Sequence, residues 1–343
     1  MLFFMATGFL FWSKLIRGES GRIDWTRLYV SRVLRLAPLF WCAVALLLAV
    51  VAKQSQWQLV ESPLVVGRQI LYWLTFNVLG VCDINGIHET WRIVAGVTWT
   101  LKYEWFFYLS LPAFGLFLGK KPPFGYLVLS LVVCAACFLT APSPYHLGGF
   151  FGGIAASYLV RSKRLCNWAT SKSATLLTVG AVGATVSFYG TGYATVPLLL
   201  LSFTFAVIAC GNNLCGVLTN SAARKLGEIS YSSYLLHGLL LYSVFHFVLG
   251  PEVSANMSEV EHWLLIMALT PILVGICGLT FHMIELPAMN LTPAATDLVR
   301  KMADAVARRL LGVRDCDSDS RGLPVDVSNE ASSKAVRAEV CRV

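Results

Sequence analysis

Apolar runs of about 17 to 23 residues recur along this chain, and they constrain its fold more than any other feature. Such a run matches an α-helix that crosses the hydrocarbon core of a bilayer, where backbone polar groups must be hydrogen-bonded within the segment. The composition agrees, because 56% of the residues are hydrophobic, 13% are charged and the mean hydropathy is +0.65. We therefore predict an all-α, polytopic transmembrane helical bundle whose surroundings are the lipid bilayer, and we expect no nucleic-acid partner.

The basic residues are clustered, and their distribution predicts a topology. Of the +8 net charge, a large share lies in residues 14–37, and further clusters lie at 120–121, 161–164, 224–225 and from Arg300 onward. Because cytoplasmic loops are rich in Lys and Arg, we predict that these loops and the C-terminal tail face the cytoplasm. The apolar spans that would connect them are 38–52, 97–118, 124–141, 147–160, 173–189, 193–210, 227–249 and 262–284.

Two segments depart from simple crossings. The apolar stretch 70–81 is short for a span, so we predict a re-entrant or interfacial segment inside a long outer loop, 53–96. The initial MLFFMATGFLFW has about a dozen apolar residues before Lys14, and it resembles a helix whose front is missing. With this segment the bundle has about nine spans.

The C-terminal region changes character after the membrane domain, which we assign to residues 1–290. We predict an amphipathic interfacial helix over 291–312 and a disordered cytoplasmic tail over 313–343. The ten cysteines show no disulfide framework, and the Cys134–Cys137 pair lies in an apolar span where packing explains it. We therefore assign no metal.

Ionisable residues inside the predicted spans need a partner or a function. Glu104 lies about 12 Å along a helix from Gly96, too deep for its short side chain to reach water, and it shares a face with Thr100 and Tyr108. Lys102 points to another face and can extend to the interface. Glu104 is therefore either a functional acid or a polar contact between helices.

Two other sets of polar residues also have two interpretations each, and a third has one. His237 shares a face with Ser230 and Tyr234, which suits proton handling or helix packing. Arg32 and Arg35 lie one turn apart at a predicted cytoplasmic mouth, where they could bind phosphate or only set the topology. At 285–287, a glutamate and a proline predict the end of the last span.

Six stretches follow one another along the chain in a recognisable order: FFMATGFLF (3–11), RVLRLAPLF (32–40), WTLKYEWFFYLSLP (99–112), GGFFGGIAAS (148–157), LGEISYSSYLLH (226–237) and IELP (284–287). Their order resembles that of the acyltransferase 3 family of integral-membrane acyltransferases. The resemblance covers residues 1–290 and implies a ten-helix bundle, of which this chain would hold all but the first helix. It also implies transfer of an acyl group, taken to be acetyl, from cytoplasmic acyl-CoA to a hydroxyl of a cell-surface or secreted carbohydrate at a bacterial inner membrane. Acyl-CoA would be a donor substrate, with no bound cofactor.

The resemblance also implies roles for individual residues. Glu104 and His237 match the family's glutamate and late histidine, and we assign them to catalysis. The residues assigned to acyl-CoA or acceptor binding are Arg32, Arg35, Trp99, Tyr108, Ser230 and Tyr231.

One expected element is missing from the printed sequence. The family's first helix carries an arginine and, some ten residues later, a histidine that acts as the catalytic base. None of the six histidines, at 88, 146, 237, 246, 262 and 282, stands in that motif. We therefore expect the chain as printed to be weakly active or inactive.

A transporter or channel is the rival hypothesis. In it, Glu104 and His237 would line a path for protons or for an acyl-bearing substrate. Interrupted helices at matched positions in two halves would favour that hypothesis, and the sequence shows no such repeat.

Overall fold

The structure, a computed structural model, describes residues 1–17, 23–78, 80–140 and 144–310. This part of the chain is almost entirely helical, and its β pairing is limited to an isolated bridge between Ile84 and Ile87. The predicted tail, 313–343, lies outside the described residues. The α-helices are α1 (Leu2–Arg17), α2 (Trp25–Gln54), α3 (Pro63–Leu74), α4 (Trp99–Phe117), α5 (Phe124–Thr140), α6 (Pro144–Leu159), α7 (Lys163–Ala169), α8 (Lys172–Phe188), α9 (Thr195–Ala209), α10 (Ser221–Glu228), α11 (Ser230–Ser243), α12 (Pro251–Asn256), α13 (Glu259–Thr280), α14 (Leu286–Asn290) and α15 (Thr292–Leu310).

Local sequence explains where several helices begin. Asp24 caps α2, because its carboxylate accepts a hydrogen bond from the backbone N–H of Arg27 at 3.0 Å. Ser258 and Glu261 form a reciprocal capping box at the start of α13. Helix α11 continues into a π-helical turn at Val244–Leu249, and a second such turn, Phe281–Glu285, joins α13 to α14.

Length and hydropathy support a membrane protein. In the described ranges, three continuous helical stretches are long and apolar enough to cross a bilayer: Trp25–Gln54, Ser230–Leu249 and Glu259–Asn290. Large apolar side chains such as Leu176 and Phe188 lie exposed on the outside of α8, as lipid contact requires. The predicted all-α membrane bundle is confirmed, whereas the count of nine crossings stays a prediction.

Helix α6 packs against α1 and α9, and its small residues set the distances. Gly149 lies against Phe4, and Gly153 lies directly against the backbone of Met5 and Phe9 in α1. On the neighbouring face, Gly152 lies against the side chain of Ser202 in α9. Gly149 and Gly153, which lie four residues apart, therefore allow α6 to pack closely on α1, and this spacing is typical of close helix packing in membranes.

Residues 53–96 are more ordered than the sequence suggests. Helix α3 ends at Leu74, in the middle of the stretch 70–81 that was predicted as one short apolar segment. Asn85, which has a left-handed backbone, accepts hydrogen bonds from the N–H groups of Val60 and Glu61 and donates to the carbonyl of Gln58. The buried side-chain amide of Asn85 therefore links residues 58–61 to residue 85, because backbone groups outside regular structure also need hydrogen-bond partners.

The contacts of the chain define two compact units, 1–295 and 296–343. In the second unit the described residues belong to α15, where Leu298, Val299, Met302 and Val306 are exposed. The helix covers most of the predicted stretch 291–312, and its position at a membrane surface stays a prediction.

Candidate active site

Glu104 lies on the interior face of α4. Its side chain is only 2% exposed, and Thr100 and Tyr108 are also buried, as their four-residue spacing predicts. Its Oε1 atom accepts hydrogen bonds from the hydroxyl of Tyr108 and, at 3.4 Å, from the hydroxyl of Thr7 in α1. The Oε2 atom is shielded from solvent and has no hydrogen-bond partner in the described part of the chain. The carboxyl group is thus fixed by one oxygen and has the other available for a ligand or a proton donor.

The two arginines of α2 face the same interior. The guanidinium carbon of Arg32 lies 5.0 Å from the centre of the Phe11 ring, and its Nε atom is shielded without a hydrogen-bond partner among the described residues. Arg32 and Arg35 both lie within electrostatic range of Glu104. The structure therefore brings together three residues that the sequence assigned to separate places, a helix interior and a cytoplasmic mouth.

A second buried acid joins this cluster. Glu285 is fully buried, accepts a hydrogen bond from Ser232 in α11, and lies within electrostatic range of Arg35. The prediction that a glutamate and a proline end the last span was wrong, because the π-helical turn continues directly into α14. The same argument that identified Glu104, an acid inside an apolar span, could have identified Glu285.

Tyr231 connects the parts of the cluster. Its hydroxyl donates to the carbonyl of Leu36 in α2 at 2.8 Å, and its ring is buried. It lies within electrostatic range of Glu104, Glu285 and Arg35. The predicted residue Tyr231 thus lies near both acids, and its hydroxyl joins α11 to α2.

The remaining predicted residues of α11 lie apart from Glu104. The Nδ1 atom of His237 is 3.1 Å from the carbonyl oxygen of Ser233; since a carbonyl only accepts, this nitrogen carries the hydrogen. Ser230 is exposed and donates to the carbonyl of Gly227, a contact that needs no ligand. Among the described contacts, none joins His237 or Ser230 to Glu104, and their roles stay predictions.

Trp99 belongs to a cluster of half-buried rings at the start of α4. The ring of His146 lies 4.8 Å from Trp99, 4.7 Å from Tyr103 and 5.0 Å from Tyr193, measured between centroids. Sequence analysis identified Trp99 but missed His146, because nothing in the local sequence shows which helices meet there. We call these four residues the aromatic cluster.

Within the described ranges, no group of three His, Cys, Asp or Glu residues is placed to bind a metal ion. A shielded polar cluster inside lipid-exposed helices is typical of membrane enzymes and transporters. The model of the acyltransferase 3 family, described as an acyltransferase domain, matches residues 1–282. The chain belongs to this family, and it is a membrane acyltransferase. Comparison with curated proteins and with solved structures finds no match.

Proposed function

We propose that this protein transfers an acyl group, in the simplest case acetyl, from cytoplasmic acyl-CoA to a hydroxyl of a glycan. The hydroxyl oxygen would attack the thioester carbonyl, so that a C–O bond forms and the C–S bond breaks. The hydroxyl proton passes to a base and ends on the sulfur of the departing CoA. Such a reaction needs a base near the hydroxyl and a positive or hydrogen-bonding group near the carbonyl oxygen.

The observation that carries this proposal is the shielded acid beside two arginines. Glu104 keeps its Oε2 atom unpaired while Arg32 and Arg35 lie within electrostatic range. Arginine binds phosphate by charge-assisted hydrogen bonds, which suits the phosphates of CoA, and a cation in a dry interior also stabilises a developing oxyanion. Glu104, positioned by Tyr108, would orient the base and balance the charge that the base acquires.

The proposed orientation follows the distribution of basic residues. The loops at 120–121, 161–164 and 224–225 would face the cytoplasm of a bacterial inner membrane, and the aromatic cluster would then lie toward the outer face. An acyl group bound near Arg35 could thereby meet an acceptor that enters from the other side.

The catalytic base is not among the described neighbours of Glu104. Within the described residues no histidine contacts Glu104, and His237 donates from Nδ1 to the carbonyl of Ser233, which leaves its Nε2 atom as the ring nitrogen that can accept a proton. We expect acyl transfer by the 343-residue polypeptide to be slow or absent, because none of these histidines is oriented by Glu104.

Donor binding and turnover can be measured separately on protein reconstituted in lipid nanodiscs. We expect acetyl-CoA to bind, and each of Arg32→Ala and Arg35→Ala to weaken binding by about 10- to 100-fold, the effect of losing a charged hydrogen bond. Arg224→Ala, an exposed arginine of α10, is the matched control and should bind as the parent does. If neither Arg32→Ala nor Arg35→Ala weakens acetyl-CoA binding, the proposed donor site is wrong.

Turnover is followed by release of the CoA thiol and by acyl ester on an added glycan. Rapid acyl transfer that Glu104→Gln abolishes would contradict our expectation that the 343-residue polypeptide is slow or inactive. Movement of substrate across the membrane without thioester loss would instead favour a transporter.

A further inference from the structure

A cavity in the membrane domain lies outside the cluster around Glu104. It has a volume of about 460 Å³ and lies between α4, α5 and α6. This is within the range of about 300 to 1,000 Å³ found for cavities that hold small molecules. Its lining includes Tyr103, Phe107, Ser110, Cys134, Phe150 and Phe151.

The cavity suits a hydrocarbon chain. Of its eleven lining residues, eight are aromatic or aliphatic and the others are one serine and two cysteines, and Phe151 is 60% exposed on the outer surface of the bundle. A chain from the surrounding bilayer could therefore enter sideways between helices, without passing through water.

The aromatic cluster, Trp99, Tyr103, His146 and Tyr193, adjoins this cavity because Tyr103 belongs to both. Its rings are half-buried, so their faces remain available to a ligand. The negative face of an aromatic ring attracts the polarised C–H groups of a sugar. The Nδ1 atom of His146 is shielded and has no hydrogen-bond partner in the described part of the chain, so a sugar hydroxyl inserted between the rings would supply the partner that this atom lacks.

We propose that the acceptor is a glycolipid, whose sugar binds at the aromatic cluster and whose hydrocarbon chain occupies the cavity. That the sugar is an acceptor rests on the proposed function; the binding site itself rests on the geometry. A single amphiphile explains why a polar-edged ring cluster and an apolar cavity meet at Tyr103.

A long acyl chain on the donor fits this cavity less well. Phe107 and Phe150 stack at 4.4 Å between centroids, and Phe4 packs on Phe150 at 4.8 Å. Tyr103 and Ser110 lie on a face of α4 about 100° from that of Glu104, since successive residues in a helix are separated by that angle. The acyl chain of a donor bound at Arg32 and Arg35 would have to pass the stacked rings of Phe107 and Phe150 to reach the cavity.

Two native cysteines allow a direct binding test. Cys134 lines this cavity, whereas Cys42 lines a separate apolar cavity of about 410 Å³ between α2, α11 and α13. The protein in nanodiscs is treated with N-ethylmaleimide, and labelling at each cysteine is measured by mass spectrometry. Dodecyl glucoside at four times its dissociation constant should slow labelling of Cys134 about fivefold, by simple occupancy, and leave Cys42 unchanged.

The head group and the chain are tested by changing one at a time. Glucose and dodecanol should each protect Cys134 only at concentrations at least about tenfold higher than dodecyl glucoside. His146→Phe, which keeps a ring in the cluster, should weaken dodecyl glucoside about two- to tenfold, the effect of one hydrogen bond. His262→Phe is the control, since His262 stacks on Phe245 far along the chain, outside the aromatic cluster. An unchanged Cys42 rate shows that each variant is folded.

Several results would overturn the glycolipid site. These are equal protection by dodecanol, equal protection of Cys42, protection by palmitoyl-CoA at lower concentration than dodecyl glucoside, or an unchanged affinity in His146→Phe. The proposed function has a separate outcome: Cys134 protected by dodecyl glucoside while acetyl-CoA fails to bind supports the glycolipid site and contradicts the acyltransfer proposal. If acetyl-CoA binds but dodecyl glucoside does not protect Cys134, the donor site is supported and the glycolipid site is contradicted.

Discussion

Replacement of Gly153 by alanine tests how closely α1 must approach α6. A methyl group at Gly153 would overlap the carbonyl of Met5 and lie 2.7 Å from the backbone nitrogen of Phe9. The same contact is tight in the other direction, since a methyl group at Gly8 would overlap the carbonyl of Phe150. Because these obstacles are backbone atoms, no change of rotamer can relieve them, and the helices must move apart.

The magnitude follows from two losses. Overpacking of this kind costs about 1–3 kcal/mol. Separation also lengthens the 3.4 Å hydrogen bond from Thr7 to Glu104, which contributes about 1 kcal/mol. The sum is about 2–4 kcal/mol, and at about 2 °C per kcal/mol for a chain of this size it predicts a Tm about 4–8 °C lower.

The measurement is thermal unfolding in nanodiscs, followed by tryptophan fluorescence, with Gly180→Ala as the matched control. In α8, a methyl group at Gly180 meets nothing within 4 Å, and alanine is the better helix former, so Tm should not fall. If Gly153→Ala unfolds at the same temperature as Gly180→Ala, the proposed backbone contact between α1 and α6 is wrong.

Three other substitutions test buried hydrogen bonds. Tyr108→Phe should lower the free energy of unfolding by about 1–3 kcal/mol, because Glu104 loses a buried hydrogen-bond donor. The double variant with Glu104→Gln should lose less than the sum of the two single losses. Additive losses would contradict a direct hydrogen bond between the two side chains. Ser232→Ala should also lower the free energy of unfolding by about 1–3 kcal/mol, but it should have little effect in a protein that already carries Glu285→Ala. An equal loss with and without Glu285→Ala would refute the Ser232–Glu285 contact. Asn85→Ala should speed hydrogen exchange of the amides that it accepts from at 60 and 61, without changing exchange in α13; unchanged exchange would show that other groups hold the loop.

Features that repeat within one helix were predictable from the sequence. The apolar runs predicted the helices, and the four-residue spacing placed Thr100, Glu104 and Tyr108 on one buried face. The four-residue spacing of the glycines at 149 and 153 likewise indicates a face of α6 that permits close packing. Each of these inferences needs only the geometry of a single helix, which the sequence determines.

Features that depend on several helices were not predictable. His146 meets Trp99 and Tyr193 only because α4, α6 and the residues before α9 converge. The hydrogen bonds of the Asn85 side chain with residues 58–61 likewise depend on partners distant in sequence, whereas its left-handed backbone matches the local Asn-Gly turn at 85–86. In both cases the decisive partners lie more than 20 residues away.

The charges of the cluster show why single residues misled the sequence analysis. Each ionisable side chain inside a bilayer costs about 2.5–3.5 kcal/mol when considered alone, which leads to a separate explanation for each one. Here the two carboxyl groups of Glu104 and Glu285 lie within electrostatic range of Arg35, and Arg32 lies near Glu104, so two acids share one interior with two arginines. Opposite charges that share one dry interior stabilise each other, and the removal of one leaves its partner uncompensated. We therefore expect loss of Arg35 to affect both buried acids, because each would lose a positive neighbour.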